Sequence, residues 1–330
     1  MKFFRVLFLV IFCLSVASVS AHTPLDTDGN YNTPESSLVI ENPTKSWTLY
    51  EDLDDVNYYK LHLKEGETLK VNLYVSLWSD SDFTPNLVVM GPDVEASDEP
   101  PFTHPEDLGR KIIEGSRQDH PEYEPFTPAS YYYVASYSHE TSEEADYFVA
   151  VYSTDHSGKY GMALGSRETF TLIEWLKIPF DLVRIHLWEE QPFLLLFGPP
   201  FVAFVLGGYF IFIRDRSSKG FSLVLEKLGG LLYFSSGVMT LAQMMFYLLA
   251  AGLTGSALLT LVFVCAQIGL GIFLMRKSKK TWIILIGVGV GGLLFWAGWI
   301  IGPILVFYAG ITHKLVARAI NQVKSVIDIL

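Results

Sequence analysis

The chain has 330 residues, half of them hydrophobic, with 24 Lys+Arg against 35 Asp+Glu and a net charge of −11. Residues 22–192 hold 32 acids and 11 cations, whereas residues 193–330 hold 3 acids and 11 cations. Such polarity excludes a single cytosolic core, and it makes the acidic half a poor nucleic-acid binder.

Residues 1–21 read as a secretory signal peptide. Lys2 and Arg5 precede an apolar run from Val6 to Val16, which leads into the small residues Ser18, Ser20 and Ala21. Cleavage after Ala21 leaves His22 as the first residue of the exported chain. The two cysteines are Cys13, inside the signal, and Cys265, inside an apolar stretch. The exported part therefore has no disulfide and depends on its core alone.

Strands are expected at 46–50, 56–63, 69–77, 86–90, 131–138, 147–153 and 159–164. Val71, Leu73, Val75 and Leu77 alternate with Asn72, Tyr74 and Ser76, the period of a half-buried strand. Lys64-Glu-Gly-Glu67 and Asp155-His-Ser-Gly158 supply turns. Short strands without intervening helices predict an all-β antiparallel sandwich, jelly-roll-like, over 22–166, interrupted by a long Pro-rich insert at 91–128.

The segment carrying Asp55, Asn57, Tyr58 and Tyr59, then a strand, the Gly66-Glu67 turn and a second strand to Val71, resembles the bacterial pre-peptidase C-terminal domain. The closing strands around Tyr147-Phe-Val-Ala-Val-Tyr152 and Gly158-Lys-Tyr-Gly-Met-Ala-Leu164 are similar too. The resemblance covers about residues 36–166, with Asn57 standing where that family has a second Asp. It implies a noncatalytic β-sandwich used in binding, and it names no ligand.

Residues 167–192 form a connector. Thr171-Leu-Ile-Glu174 has the capping-box pattern of a helix start. Leu172, Leu176, Leu182 and Leu187, with Trp175 and Trp188, suit an element lying at a membrane interface.

Four apolar stretches follow, at 193–213, 228–251, 257–275 and 281–310, and are expected to form a four-helix transmembrane bundle. Arg214, Arg216, Lys219 and Lys227 lie between the first two, and Arg276, Lys277, Lys279 and Lys280 between the last two. The positive-inside rule puts both connections in the cytoplasm, so that the N-terminal domain and the C-terminus are outside the cell membrane. Gly287, Gly289 and Gly292 match a dinucleotide fingerprint, which is rejected because it sits in a membrane span. Gly287 with Gly291, and Gly298 with Gly302, instead offer G-x-x-x-G faces for helix packing or a homo-oligomer. The stretch from Gly298 to Pro303 is a bend or an interfacial exit. No ionisable residue is expected well inside a span, as most pumps require, and Gln243 and Gln267 read as interhelical hydrogen-bonders. Residues 311–330 predict a separate amphipathic helix, with Ile311, Leu315, Ala319, Val323 and Ile327 opposite Lys314, Arg318 and Lys324.

No H-E-x-x-H, G-x-S-x-G or P-loop occurs, so nothing supports an enzyme. Asp52, Asp54, Asp55, Asp80 and Asp82 read as solvated loop charges rather than a Ca²⁺ site, and Tyr131–Tyr133 as sheet packing rather than a carbohydrate platform. The leading expectation is a membrane-anchored surface binding or interaction protein. Its partners are the lipid bilayer and a protein or glycan ligand outside the cell, with no nucleic acid. One alternative is a copper-binding ectodomain, in which the α-amino and imidazole nitrogens of His22 join His104, His120 or His139. Another is a small transport or assembly subunit.

Overall fold

In the computed structural model the described residues are 22–27, 29, 31–96, 99–214, 220–276 and 280–327. The expected signal segment at 1–21, Arg216, Lys219, Lys277 and Lys279 lie outside them.

Eleven strands form two mixed sheets. They are β1 (Thr23–Pro24), β2 (Leu38–Ile40), β3 (Trp47–Leu53), β4 (Val56–Leu63), β5 (Thr68–Ser76), β6 (Asn86–Gly91), β7 (Gly109–Ile113), β8 (Glu122–Glu124), β9 (Ala129–Glu140), β10 (Ala145–Tyr152) and β11 (Gly158–Leu164). The lower sheet runs β1-β3-β11-β5-β9-β8 and the upper one β2-β4-β10-β6-β7. All seven expected strands are present. The expected antiparallel order is broken only by the short strands β1 and β2, which pair in parallel with β3 and β4.

Period two explains the core. Leu69, Val71, Leu73 and Val75 of β5 point inward with Leu61 and Leu63 of β4 and Val149 and Val151 of β10. The described residues of the insert at 91–128 form a cover. It supplies β7 and β8, and its Phe102 packs edge-on against Tyr58 and Tyr152 on the outer face of the upper sheet. Val88, Met90 and Ala150 are buried there. Because both faces of that sheet are covered, β6 reads as an unbroken apolar run rather than an alternating one.

Among the described residues six α-helices follow: α1 (Leu172–Trp188), α2 (Phe193–Gly208), α3 (Phe221–Ala251), α4 (Ala257–Met275), α5 (Trp282–Leu294) and α6 (Ile301–Ile327). The capping box at α1 forms as expected. Thr171 Oγ1 accepts from the Glu174 amide at 3.2 Å, and Glu174 Oε2 accepts from the Thr171 amide at 2.8 Å. A π-helical turn, Tyr209–Arg214, extends α2. Three segments are long and apolar enough to cross a membrane: Phe193–Arg214, Phe221–Ala251 and Ala257–Met275.

The expected fourth span is not one helix. It breaks between α5 and α6, where Trp296, Gly298, Trp299 and Ile300 have φ of +51°, +71°, +51° and +66°. The freed backbone groups are met from neighbouring helices: Ser236 Oγ accepts from the Gly298 amide at 2.7 Å, and Gln267 Nε2 donates to the Phe295 carbonyl at 2.8 Å. Irregular backbone at membrane depth survives only where protein or a cavity satisfies it in this way.

The chain reverses at this break. A side chain at Gly289 would meet Phe307, and one at Gly310 would meet Leu285 and Ile286, so α6 returns alongside α5. Ser222, at the start of α3, donates to the Ala309 carbonyl at 2.8 Å, and Lys314 lies 4.4 Å from the Trp282 ring centroid. The pair is therefore a helical hairpin. Its second arm runs back to the start of α3, at the pole of the bundle away from the sandwich. Residues 311–327 continue α6 and do not form a separate helix.

The helix α3 also begins seven residues earlier than the apolar stretch, and so takes in Glu226 and Lys227, both buried. Glu226 Oε1 lies 2.7 Å from Lys280 Nζ, which also donates to the Arg276 carbonyl at 3.0 Å. These charges stay within the bundle because they are paired.

Candidate functional site: a chamber between sandwich and helices

The lower sheet turns its outer face toward the helices. Tyr74, Tyr123, Ala129, Tyr131 and Ala163 pack against Met244, Tyr247, Leu248 and Ala257 in one apolar cluster. Hydrogen bonds pin this seat. Tyr123 Oη donates to Thr260 Oγ1 at 3.0 Å, Trp78 Nε1 to Tyr247 Oη at 3.2 Å, and Tyr247 Oη to Glu189 Oε2 at 2.5 Å. Salt bridges tie α1 to the sandwich edge: Lys45 to Glu174 at 2.6 Å, and Asp26 to Lys177 at 3.1 Å and Arg184 at 2.7 Å.

Beside this seat the two parts do not close completely. They enclose a mostly apolar chamber of about 600 Å³. The sandwich contributes Thr48, Tyr50, Tyr74, Tyr131, Tyr133 and Glu124; α1 contributes Trp175, Ile178, Asp181, Leu182 and Ile185. Leu259, Val262 and Phe263 of α4 form another wall, and Phe295 and Trp296 at the hairpin tip form a floor. Trp296 stacks near Trp175 and Phe263, with ring centroids 4.8 and 4.9 Å apart. Its indole nitrogen is buried and has no hydrogen-bond partner. Below the floor lies a second cavity of about 50 Å³, bordered by Ser236, Thr240, Gln243, Thr260 and Gln267.

Burial sets the electrostatics. It pushes the Glu124 carboxyl up to about 7, with the negative Glu168 adding to the effect and a hydrogen bond from the Phe126 amide opposing it. Burial raises the Asp181 carboxyl as well, against the pull of Lys177 and Arg184. It holds the His22 imidazole down at about 4, helped by the charge of Lys70, so His22 is neutral at physiological pH. The hydroxyls of Tyr50, Tyr74, Tyr131 and Tyr133 are all pushed up by burial and stay protonated.

His22 and the three histidines named as its possible second ligand each have separate neighbours. His22 Nδ1 lies 2.7 Å from Ser46 Oγ at the chamber wall. His104 sits in the insert, with Nδ1 2.9 Å from the Phe102 carbonyl and Nε2 3.4 Å from Glu99. His120 is exposed ahead of β8, and His139 Nε2 on β9 lies 3.0 Å from Asp93. Among the described residues no group of three His, Cys, Asp or Glu side chains is arranged to hold a metal ion.

The expected interhelical role is realised for Gln267, whereas Gln243 bonds to the loop between α1 and α2. Gln191 Nε2 donates to Gln243 Oε1 at 2.6 Å, and Thr240 Oγ1 to Gln267 Oε1 at 3.1 Å. Of the four G-x-x-x-G glycines, Gly298 and Gly302 pack on Tyr233 inside the same chain, whereas Gly287 faces open space and Gly291 meets only Leu270.

No protein-family model and no curated protein matches the chain. Among solved structures, the sandwich is similar to the pre-peptidase C-terminal domain of collagenase from Bacillus anthracis, at 10% identity over 42% of this chain and 99% of that one, with a TM-score of 0.24. It is also similar to Aeromonas hydrophila PliG, a periplasmic inhibitor of g-type lysozyme, at 14% identity over 39% and 94% of the two chains, also with a TM-score of 0.24. The strand order given above, rather than either likeness, defines the β-sandwich.

Proposed function

We propose that this chain is a membrane-anchored binding protein whose site is the chamber between the sandwich and the helices, and whose ligand is an apolar or amphipathic small molecule. The observation that carries this reading is the chamber itself. Its volume of about 600 Å³ falls in the range of ligand pockets, and its walls are apolar with a few converging polar groups. Strained backbone at the hairpin tip supports it, because such residues persist where surrounding structure holds them, commonly at binding sites.

In this reading the sandwich lies outside the cytoplasm and α1 rests on the bilayer surface, with Leu172, Ile173 and Phe180 turned outward. Three helices cross, and the hairpin enters and leaves on the cytoplasmic side. That arrangement puts Arg214, Arg276, Lys280 and Lys314 at one pole, in keeping with the positive-inside rule.

Native mass spectrometry of the full chain released from nanodiscs tests the proposal. One apolar molecule per chain should be retained or taken up from an added lipid extract. Val262→Trp, which fills the α4 wall, should lose it. A wild-type chain that neither retains nor takes up any adduct refutes the reading without reference to the variant.

A further inference from the structure

The chamber is lopsided in charge. Three carboxyl groups border it (Glu124, Glu168 and Asp181), against one basic side chain, the neutral His22. Among the described residues no Lys or Arg lines it. Of the cations near its rim, Lys45 pairs with Glu174 and Lys177 with Asp26, while Arg184 bridges Asp26 and, at 3.6 Å, Asp181 itself, so that Glu124 takes part in none of these pairs. An anion entering this space beside Glu124 would meet a carboxyl group with no Lys or Arg among the described lining residues, at the short distances and low dielectric where repulsion is strongest.

Aromatic faces make the opposite sign welcome. Tyr50, Tyr74, Tyr133, Trp175 and Trp296 all border the chamber, and the electron-rich faces of such rings attract a desolvated cation. The carboxyl of Glu124 adjoins the same space. We propose that the chamber takes a monocationic amphiphile, an apolar body carrying one positive centre that is held between Glu124 and the tyrosine and tryptophan rings. This inference rests on the chamber being a ligand site and specifies the class of ligand.

Binding and proton release are then linked. A cation stabilises ionised Glu124, so affinity rises as pH rises through the carboxyl's value of about 7. The groups facing Glu124 are Glu168 and the hydroxyls of Tyr50, Tyr74, Tyr123 and Tyr133, with His22 and Asp181 sharing the chamber. The tyrosines do not titrate in this range and His22 is neutral throughout. Ionisation of Asp181 at higher pH acts in the same direction as that of Glu124.

Tetraphenylphosphonium and tetraphenylborate have matched shapes and opposite charge, so they isolate this property. Their binding to the full chain in zwitterionic nanodiscs is measured by calorimetry at pH 8.0 and 5.5, with empty nanodiscs subtracted. One phosphonium should bind per chain at pH 8.0, at least tenfold tighter than borate, and weaken ~30-fold at pH 5.5 as Glu124 is protonated. Glu124→Gln should flatten the pH dependence. Equal affinity for the two ions, or a preference for borate, overturns the charge assignment and leaves the chamber standing as a site. Saturable binding of neither ion, in a chain that also retains no adduct, overturns both.

Discussion

Replacing Glu124 by Gln isolates the cost of holding a carboxylate in the chamber wall. In the folded chain this carboxyl titrates at about 7, against 4.5 for its ordinary value. The sign follows from which state binds the proton more tightly. Below pH 4.5 the group is neutral folded and unfolded, and contributes nothing to pH dependence. Between these values the unfolded chain releases its proton first, so the folded state loses stability as pH rises. Above pH 7 both states are ionised and the full cost, ~3 kcal/mol, is present. Glutamine keeps the shape and cannot ionise. Glu124→Gln should therefore match wild type near pH 4 and exceed it near pH 8 by roughly 5–10 °C in Tm, for a unit of this size. Thermal unfolding of the detergent-solubilised full chain, followed by tryptophan fluorescence, reads this difference. Parallel pH profiles for the two proteins would refute the buried, chamber-facing placement of Glu124.

Three further substitutions probe the helices and the seat beside the chamber. A Cβ at Gly292 would lie 1.9 Å from Tyr233 Oη, and Tyr233 is fully buried, so Gly292→Ala should lower stability by about 1–3 kcal/mol. Gly287→Ala, one helical face away in open space, should be neutral or slightly stabilising in the same thermal assay. Tyr247→Phe removes the donor to Glu189 and the acceptor for Trp78 at the seat of the sandwich. It should cost about 1–3 kcal/mol and speed hydrogen exchange in residues 172–191, and unchanged exchange would count against the seat.

The sandwich was legible because its signal is local. Alternation in β5, turn residues at Gly66 and Gly158, and a helix start at Thr171 each depend on neighbours a few residues away. Strands β7 and β8 were not expected, since their partners, β6 and β9, set them and the Pro-rich sequence conceals them. The hairpin was hidden for a different reason. Thirty apolar residues look alike whether they cross once or turn back, and Gly298 to Pro303 signalled a break without its direction. That direction depends on Ser236 and Gln267, which lie far away in sequence. Glu124 carried no signal of its own. Among so many acids only its place on the chamber wall distinguishes it. Tyr131 and Tyr133 were correctly read as sheet packing, yet the surface they pack toward belongs to the helices. The histidines illustrate the limit of residue type as a guide, because their chelating chemistry required a proximity that the strand order does not provide.

The chamber belongs to neither the sandwich nor the helices alone. Each supplies an incomplete wall, so a ligand that occupies it also works as an adhesive between them, strengthening their association in proportion to its own affinity and concentration. An isolated sandwich would lack the site entirely. It would also expose the Tyr74, Tyr123 and Tyr131 face to water, a patch suited to unwanted self-association. For this protein, holding the two halves together and recognising a ligand are one equilibrium.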